Sequence, residues 1–92
     1  MKEHKLKCWP VLFKGVLDGS KNFEYRRDDR LFQVGDILHL QEFDPVHEAD
    51  PYTGGNARVL VNSIWRNIPD VPRGYCIMKI TMLNAWYRKE EV

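Results

Sequence analysis

Ninety-two residues, 43% of them hydrophobic and 12% aromatic, supply one small core and leave no room for a second. A formal net charge of +1 means that bulk charge dictates no partner, and the composition is that of a globular chain rather than a disordered one. The charge is unevenly spread: residues 1–30 hold eight Lys or Arg against five acids, residues 31–57 hold five acids and no Lys or Arg, and residues 58–92 hold six against three. A mildly basic side and an acidic loop are expected. The apolar runs fall well short of the ~20 residues of a membrane helix, and Met1-Lys2-Glu3-His4-Lys5 lacks the apolar stretch of a signal peptide, so a cytoplasmic protein with no membrane contact is expected. Cys8 and Cys76, far apart and outside any Cys-x-x-Cys or Cys/His cluster, read as buried reduced thiols.

In chain order, His4 to Trp9 alternates, with His4, Leu6 and Cys8 on one side, and predicts a half-buried first strand. Pro10 suits the first position of a helix, and Phe13, Val16 and Leu17 have helical spacing, which predicts a short helix over Pro10–Asp18 stopped by Gly19. Gly15 inside it costs about 1 kcal/mol relative to Ala, and close packing against the sheet explains it better than the wall of a ligand site. A second strand follows from Asn22, with Phe23 and Tyr25 expected to face the core and Asn22, Glu24 and Arg26 to face outward. Arg27-Asp28-Asp29-Arg30 reads as a charged turn and Gly35-Asp36 as a tight one, leading into a third strand over Ile37–Phe43. The acidic stretch Asp44–Gly55 reads as an exposed loop, and Tyr52-Thr53-Gly54-Gly55 within it as a lid or a plain surface turn. Arg58–Trp65 and Tyr75–Met82 predict the fourth and fifth strands, and residues 83–92 a polar C-terminal tail in which Trp86 and Tyr87 need packing partners. One helix and five strands predict a mostly β, α+β fold: a small, largely antiparallel sheet curved into a barrel, occupying residues 1–92 as a single domain.

The most chemically loaded stretch is Gly19-Ser20-Lys21-Asn22-Phe23-Glu24-Tyr25-Arg26. Lys21, Glu24 and Arg26 suit a nucleotide pocket, because the cations engage phosphate and the carboxylate accepts hydrogen bonds from a base edge; the plainer reading is a salt-bridged corner fastening helix to sheet. Arg27, Arg30, Arg58, Arg66 and Arg73 with Lys5 and Lys7 suit a phosphate track, and Trp9, Tyr25, Tyr52, Trp65 or Tyr75 suit base stacking; solvated arginines and core aromatics are the plainer reading. His4, His39 and His47 lack metal-ligand spacing, and no phosphate-cradling glycine loop is visible, so neither metal nor cofactor is expected.

Gly19, Lys21, Glu24 and Arg26 match the glycine-x-lysine-x-x-glutamate-x-arginine hallmark of the ASCH family of the PUA-like superfamily, which the chain resembles. Asp29-Arg30, Phe32-Gln33-Val34-Gly35-Asp36 and Tyr52-Thr53-Gly54 are similar to motifs of its DUF3850 subgroup, and the resemblance covers about residues 4–81. It implies a PUA-like β-barrel binding RNA or a modified nucleoside in a cleft beside the motif, with Lys21, Glu24, Arg26, Arg30, Tyr52 and Thr53 as ligand-binding residues. Some ASCH proteins are amidohydrolases on N4-acylated cytidine that use the motif lysine, a threonine two residues before the arginine, and a glutamate from the C-terminal half; another is a ribonuclease. Here Glu24 occupies the threonine's position and Tyr75–Thr81 holds no carboxylate. Three functions therefore stand: a binding module, a hydrolase using Lys21 and Glu24, and a protein-interaction domain with a vestigial cleft.

Overall fold

A computed structural model describes residues 1–88. Its elements run β1 (Glu3–Cys8), α1 (Pro10–Asp18), β2 (Phe23–Arg27), β3 (Ile37–Phe43), β4 (Tyr52–Trp65) and β5 (Tyr75–Tyr87). The strands form one sheet in the order β1-β3-β4-β5-β2, with β1 parallel to β3 and the other pairs antiparallel. Register shifts between Arg58 and Val59 and between Val61 and Ser63 curl the long β4–β5 ribbon, as extra residues in one strand increase twist. The result is a half-barrel whose concave face is lined by Leu6, Cys8, Leu38, Leu40, Ala57, Val59, Val61, Cys76, Met78 and Ile80, and closed by Phe13, Val16 and Phe32. No helix among the described residues is long and apolar enough to cross a membrane.

Helix α1 begins at Pro10 after an extended Trp9 and ends at Gly19, whose φ of 82° turns the chain so that the Lys21 N–H donates to the Gly15 carbonyl at 2.9 Å. Gly15 is explained by this return and not by the sheet: a Cβ there would lie 3.0 Å from Lys21 Cβ.

Three further sequence expectations need correction. Residues 52–55 are not a loop or lid; β4 starts at Tyr52, and the acidic loop shortens to residues 44–51. Residues 83–87 are not tail; β5 continues to Tyr87, pairing Ala85 with Ala57 and Tyr87 with Gly55, while residues 89–92 of that expected tail lie outside the described residues. Glycine in a strand reads locally as loop, but here it admits a close backbone approach. Gly54 has a φ of 96°, a Cβ on it would collide with the Arg88 carbonyl, and its own carbonyl accepts the Arg88 N–H at 2.8 Å.

The third correction is that β2 is turned over: Glu24 is 2% exposed, whereas Phe23 and Tyr25 are 43% and 48% exposed. A strand's period of two leaves only two choices of face. Glu24 occupies the inner one because two cations meet its carboxylate there, so the rings take the outer one.

At the other end of the molecule, Asp36 gathers β1 and the preceding turn. Its carboxylate accepts the Lys2 N–H at 3.0 Å, the Gln33 N–H at 3.0 Å and His4 Nε2–H at 2.9 Å. Burial alone would push this carboxyl up, but the three donors hold it below its ordinary value. A depressed folded value means that the contribution is present at neutral pH and disappears as pH falls through that value. Asp36→Asn is expected to lower stability by about 1–3 kcal/mol at pH 7 and to flatten the acid limb of a stability-versus-pH curve. The inverted β2 face is checked by chemical denaturation: Phe13→Ala should cost about 3–5 kcal/mol, and Phe23→Ala no more than about 1 kcal/mol.

Candidate functional site

The corner after α1 places Lys21 over the start of β2, where its Nζ donates to the Phe23 carbonyl at 2.7 Å and to Glu24 Oε2. Arg26, on the same face as Glu24, donates from Nε to Glu24 Oε1 at 2.8 Å. Both carboxylate oxygens are therefore taken by charged donors, and the motif folds onto itself as a closed corner. Arg26 also donates from Nη2 to the Lys7 carbonyl at 2.8 Å, and Arg30 from Nη1 to the Lys5 carbonyl at 3.0 Å. Lys5 and Lys7 lie on β1 and Arg26 on β2, the two outermost strands of the sheet, so the arginines join edges that share no backbone ladder. The Cys8 thiol beside this corner is pushed up to about 11, chiefly by burial and then by Glu24, against the opposing pull of Lys21 and Arg26. It stays protonated and unreactive at neutral pH.

Glu24→Gln tests the corner. Removing the charge leaves two partly buried cations without their counter-ion and should cost about 2–4 kcal/mol in urea denaturation, below the full cost of breaking a wholly buried pair because Lys21 and Arg26 reach solvent.

A small pocket of about 70 Å³ beside the corner is lined by Gly19, Lys21 and Asn22, and a roomier cleft of about 430 Å³ lies at the curled end of β3, β4 and β5. Tyr52 and Thr53 line it; Lys21, Glu24, Arg26 and Arg30 do not. One wall is aromatic. Trp86 packs on the His39 ring with centroids 5.4 Å apart, and Tyr52 meets Phe43 edge-on at 5.0 Å. A second wall is amide: the Asn56 side chain accepts from His39 Nε2–H at 2.8 Å and donates to the Gly54 carbonyl at 2.9 Å, with Gln41 alongside. Glu42 accepts the Thr53 hydroxyl, and Thr53 Oγ1 accepts the Gly55 N–H at 3.2 Å. Burial and the neighbouring Glu42 carboxylate hold the Tyr87 hydroxyl above its ordinary value. Lys5 and Arg88 bring positive charge to the lining and Asp50 negative charge. Among the described residues no group of three or more His, Cys, Asp or Glu could hold a metal ion.

Sequence reasoning missed His39, Gln41, Glu42, Asn56, Trp86 and Arg88 as lining residues. A signal for His39, Gln41 and Asn56 existed in the alternation of β3 and β4, where His39 and Gln41 stand opposite Arg58 and Asn56, whereas Glu42 falls on the other face of β3, beside Cys8. Trp86 had none, because its position depends on β5 pairing far beyond Met82.

The fold and cleft define a small α+β half-barrel with an aromatic-walled surface site. The model of a domain of unknown function, DUF3850, matches residues 3–80, and the chain belongs to that family. The match takes in the closed corner and the Tyr52–Asn56 wall and stops before Trp86 and Arg88. No curated protein matches the chain significantly.

Proposed function

We propose that this protein is a binding module of the ASCH, PUA-like kind that takes a nucleoside, free or within single-stranded RNA, in the cleft between β3, β4 and β5. The observation that carries the reading is the combination of walls around one 430 Å³ space. Trp86 and Tyr52 offer ring faces and edges for a base. Gln41 and Asn56 offer amides, and the Glu42 carboxylate accepts from an exocyclic amine. Lys5 and Arg88 attract a phosphate, and the pocket is of the size that holds one small ligand. The Lys21–Glu24–Arg26 corner supports this site without touching the ligand. It fixes β1, and Cys8 at the end of β1 pairs with Glu42 in the cleft wall.

Titrating nucleosides, nucleoside monophosphates and short oligoribonucleotides while following Trp fluorescence tests the proposal. Saturable binding is expected, weakened about tenfold or more by Trp86→Ala, as loss of a stacked base partner does. Thr53→Ala should weaken it too, by freeing the Glu42 carboxylate from its fixed donor. Binding indifferent to both substitutions would remove the cleft from the function.

A hydrolase reading rests on one observation: Glu42, with Thr53 bonded to it, brings to the cleft the carboxylate that Tyr75–Thr81 lacks. It is the weaker reading, because Lys21 and Glu24 are bonded to each other and to Arg26 and Phe23, leaving neither available as acid or base without opening the corner. Incubation with N4-acetylcytidine should leave the amide intact by chromatography. Rapid release of cytidine that vanishes in Lys21→Ala would reverse the ranking.

A further inference from the structure

The inverted β2 strand leaves a second surface on the convex side of the sheet, on β2 and the part of β5 paired with it, made of residues that do not line the cleft. Cross-strand partners share a face. Phe23 stands beside Lys79 and Ser63, Tyr25 beside Ile77 and Trp65, and Arg27 beside Tyr75. Phe23, Tyr25 and Trp65 are each between 43% and 48% exposed. Large rings half in water on one face are costly to keep solvated, and such contiguous patches mark a binding surface.

The geometry of these rings is ordered. Tyr25 and Tyr75 stack with centroids 5.6 Å apart and planes inclined by 23°, and the Arg27 guanidinium lies 5.9 Å from the Tyr75 centroid. At the other end of β2 the Lys21 ammonium lies 5.1 Å from the Phe23 centroid. The rings thus have the Arg27 cation at one end and the Glu24-paired Lys21 at the other, and Phe23 and Tyr25 are separated by two strand residues, about 6.6 Å, enough for one base per ring.

The charge on this face is of one sign. Its paired rows carry Arg27 and Lys79 and no carboxylate. Of the acids that follow β2, Asp28 is held by Arg66 Nε at 2.6 Å, and Asp29 acts on the Arg27 guanidinium from beyond the strand's end. Aromatic faces beside Arg27 and Lys79, in strand rows that hold no carboxylate, match the two chemical elements of single-stranded nucleic acid, flat bases and regularly spaced phosphates. An apolar protein partner would need neither the cations nor the absence of acids.

We infer that the convex face of β2 and β5 is a stacking platform for single-stranded nucleic acid, with Phe23, Tyr25 and Trp65 as base contacts and Arg27 and Lys79 as phosphate contacts. None of these residues lines the cleft, so the inference does not rest on the cleft reading.

The test uses the full chain and a fluorescein-labelled 12-nucleotide oligouridylate, followed by anisotropy across a range of salt concentrations. Saturable binding is expected, weakened about tenfold by Tyr25→Ala. If Arg27 and Lys79 each neutralise one phosphate, log affinity should fall against log salt with a slope of about −1.4, and Arg27→Glu should make that slope shallower by about 0.7. Circular dichroism and the urea midpoint establish that the variants are folded; Phe23→Ser and Trp65→Ser serve in place of any that is not. Absence of binding, or binding indifferent to Tyr25→Ala and Arg27→Glu, overturns the inference. So does binding lost in Trp86→Ala yet indifferent to Tyr25→Ala, which assigns the strand to the cleft. Self-association in the ultracentrifuge that Tyr25→Ala abolishes also overturns it and makes the face an interface between copies.

Discussion

The structure depends on one buried charge. Glu24 sits at the inner face of an edge strand, and a carboxylate there is tolerable only because Lys21 and Arg26 supply charged donors to both of its oxygens. From this constraint follow the side to which β2 turns, the orientation of Arg26 and the joining of the open edges. The Arg26 guanidinium, oriented by Glu24 through Nε, has Nη2 left for the Lys7 carbonyl. Arg30 repeats the contact at Lys5. Two arginines thereby satisfy backbone acceptors on β1 that a neighbouring strand would otherwise use, and a half-barrel is held at its open side by side chains.

The corner and the cleft are connected through β1. Cys8 is paired in register with Glu42, and its thiol is held up by both Glu24 and Glu42, so the two carboxylates act on one buried sulfur. Glu24 is fully committed to cations, whereas Glu42 is bonded to a hydroxyl at the edge of an open space. That difference in partners divides the work between them. A carboxylate locked by two cations serves architecture, and one held by a neutral donor beside a cavity retains acceptor capacity for a ligand.

The inversion of β2 has a further consequence for the surface. With the polar side chain inside, the two rings of the same strand go outside, where β5 and β4 add Tyr75 and Trp65. Polar burial at the corner and aromatic exposure on the convex face are therefore one event, and the cleft owes nothing to it directly. Its aromatic wall comes instead from the far end of the β4–β5 ribbon, where Trp86 and Tyr52 lie.

Much of the local structure was legible in the chain: the alternation that buries His4, Leu6 and Cys8, the helix begun by Pro10 and ended by Gly19, the strand at Ile37–Phe43, the five-stranded, mostly antiparallel fold, and membership of DUF3850 through its motifs. These depend on period, caps and turn chemistry, which act over a few residues. Which face of β2 points inward was not legible, because alternation is symmetrical and the choice falls to the cations from the α1 corner and from β2 itself that meet Glu24. The true length of β4 and β5 was hidden for a similar reason. Gly54 and Gly55 read as loop until a partner strand approaches closely enough to require them, and the run from Leu83 to Tyr87 has no strand signal apart from that partner. The sequence by itself determined the elements and the residues of the motif, whereas tertiary pairing alone decided that the motif closes and that the open cleft forms where distant segments meet, since burial of a charge and the walls of a cavity are properties of several strands at once.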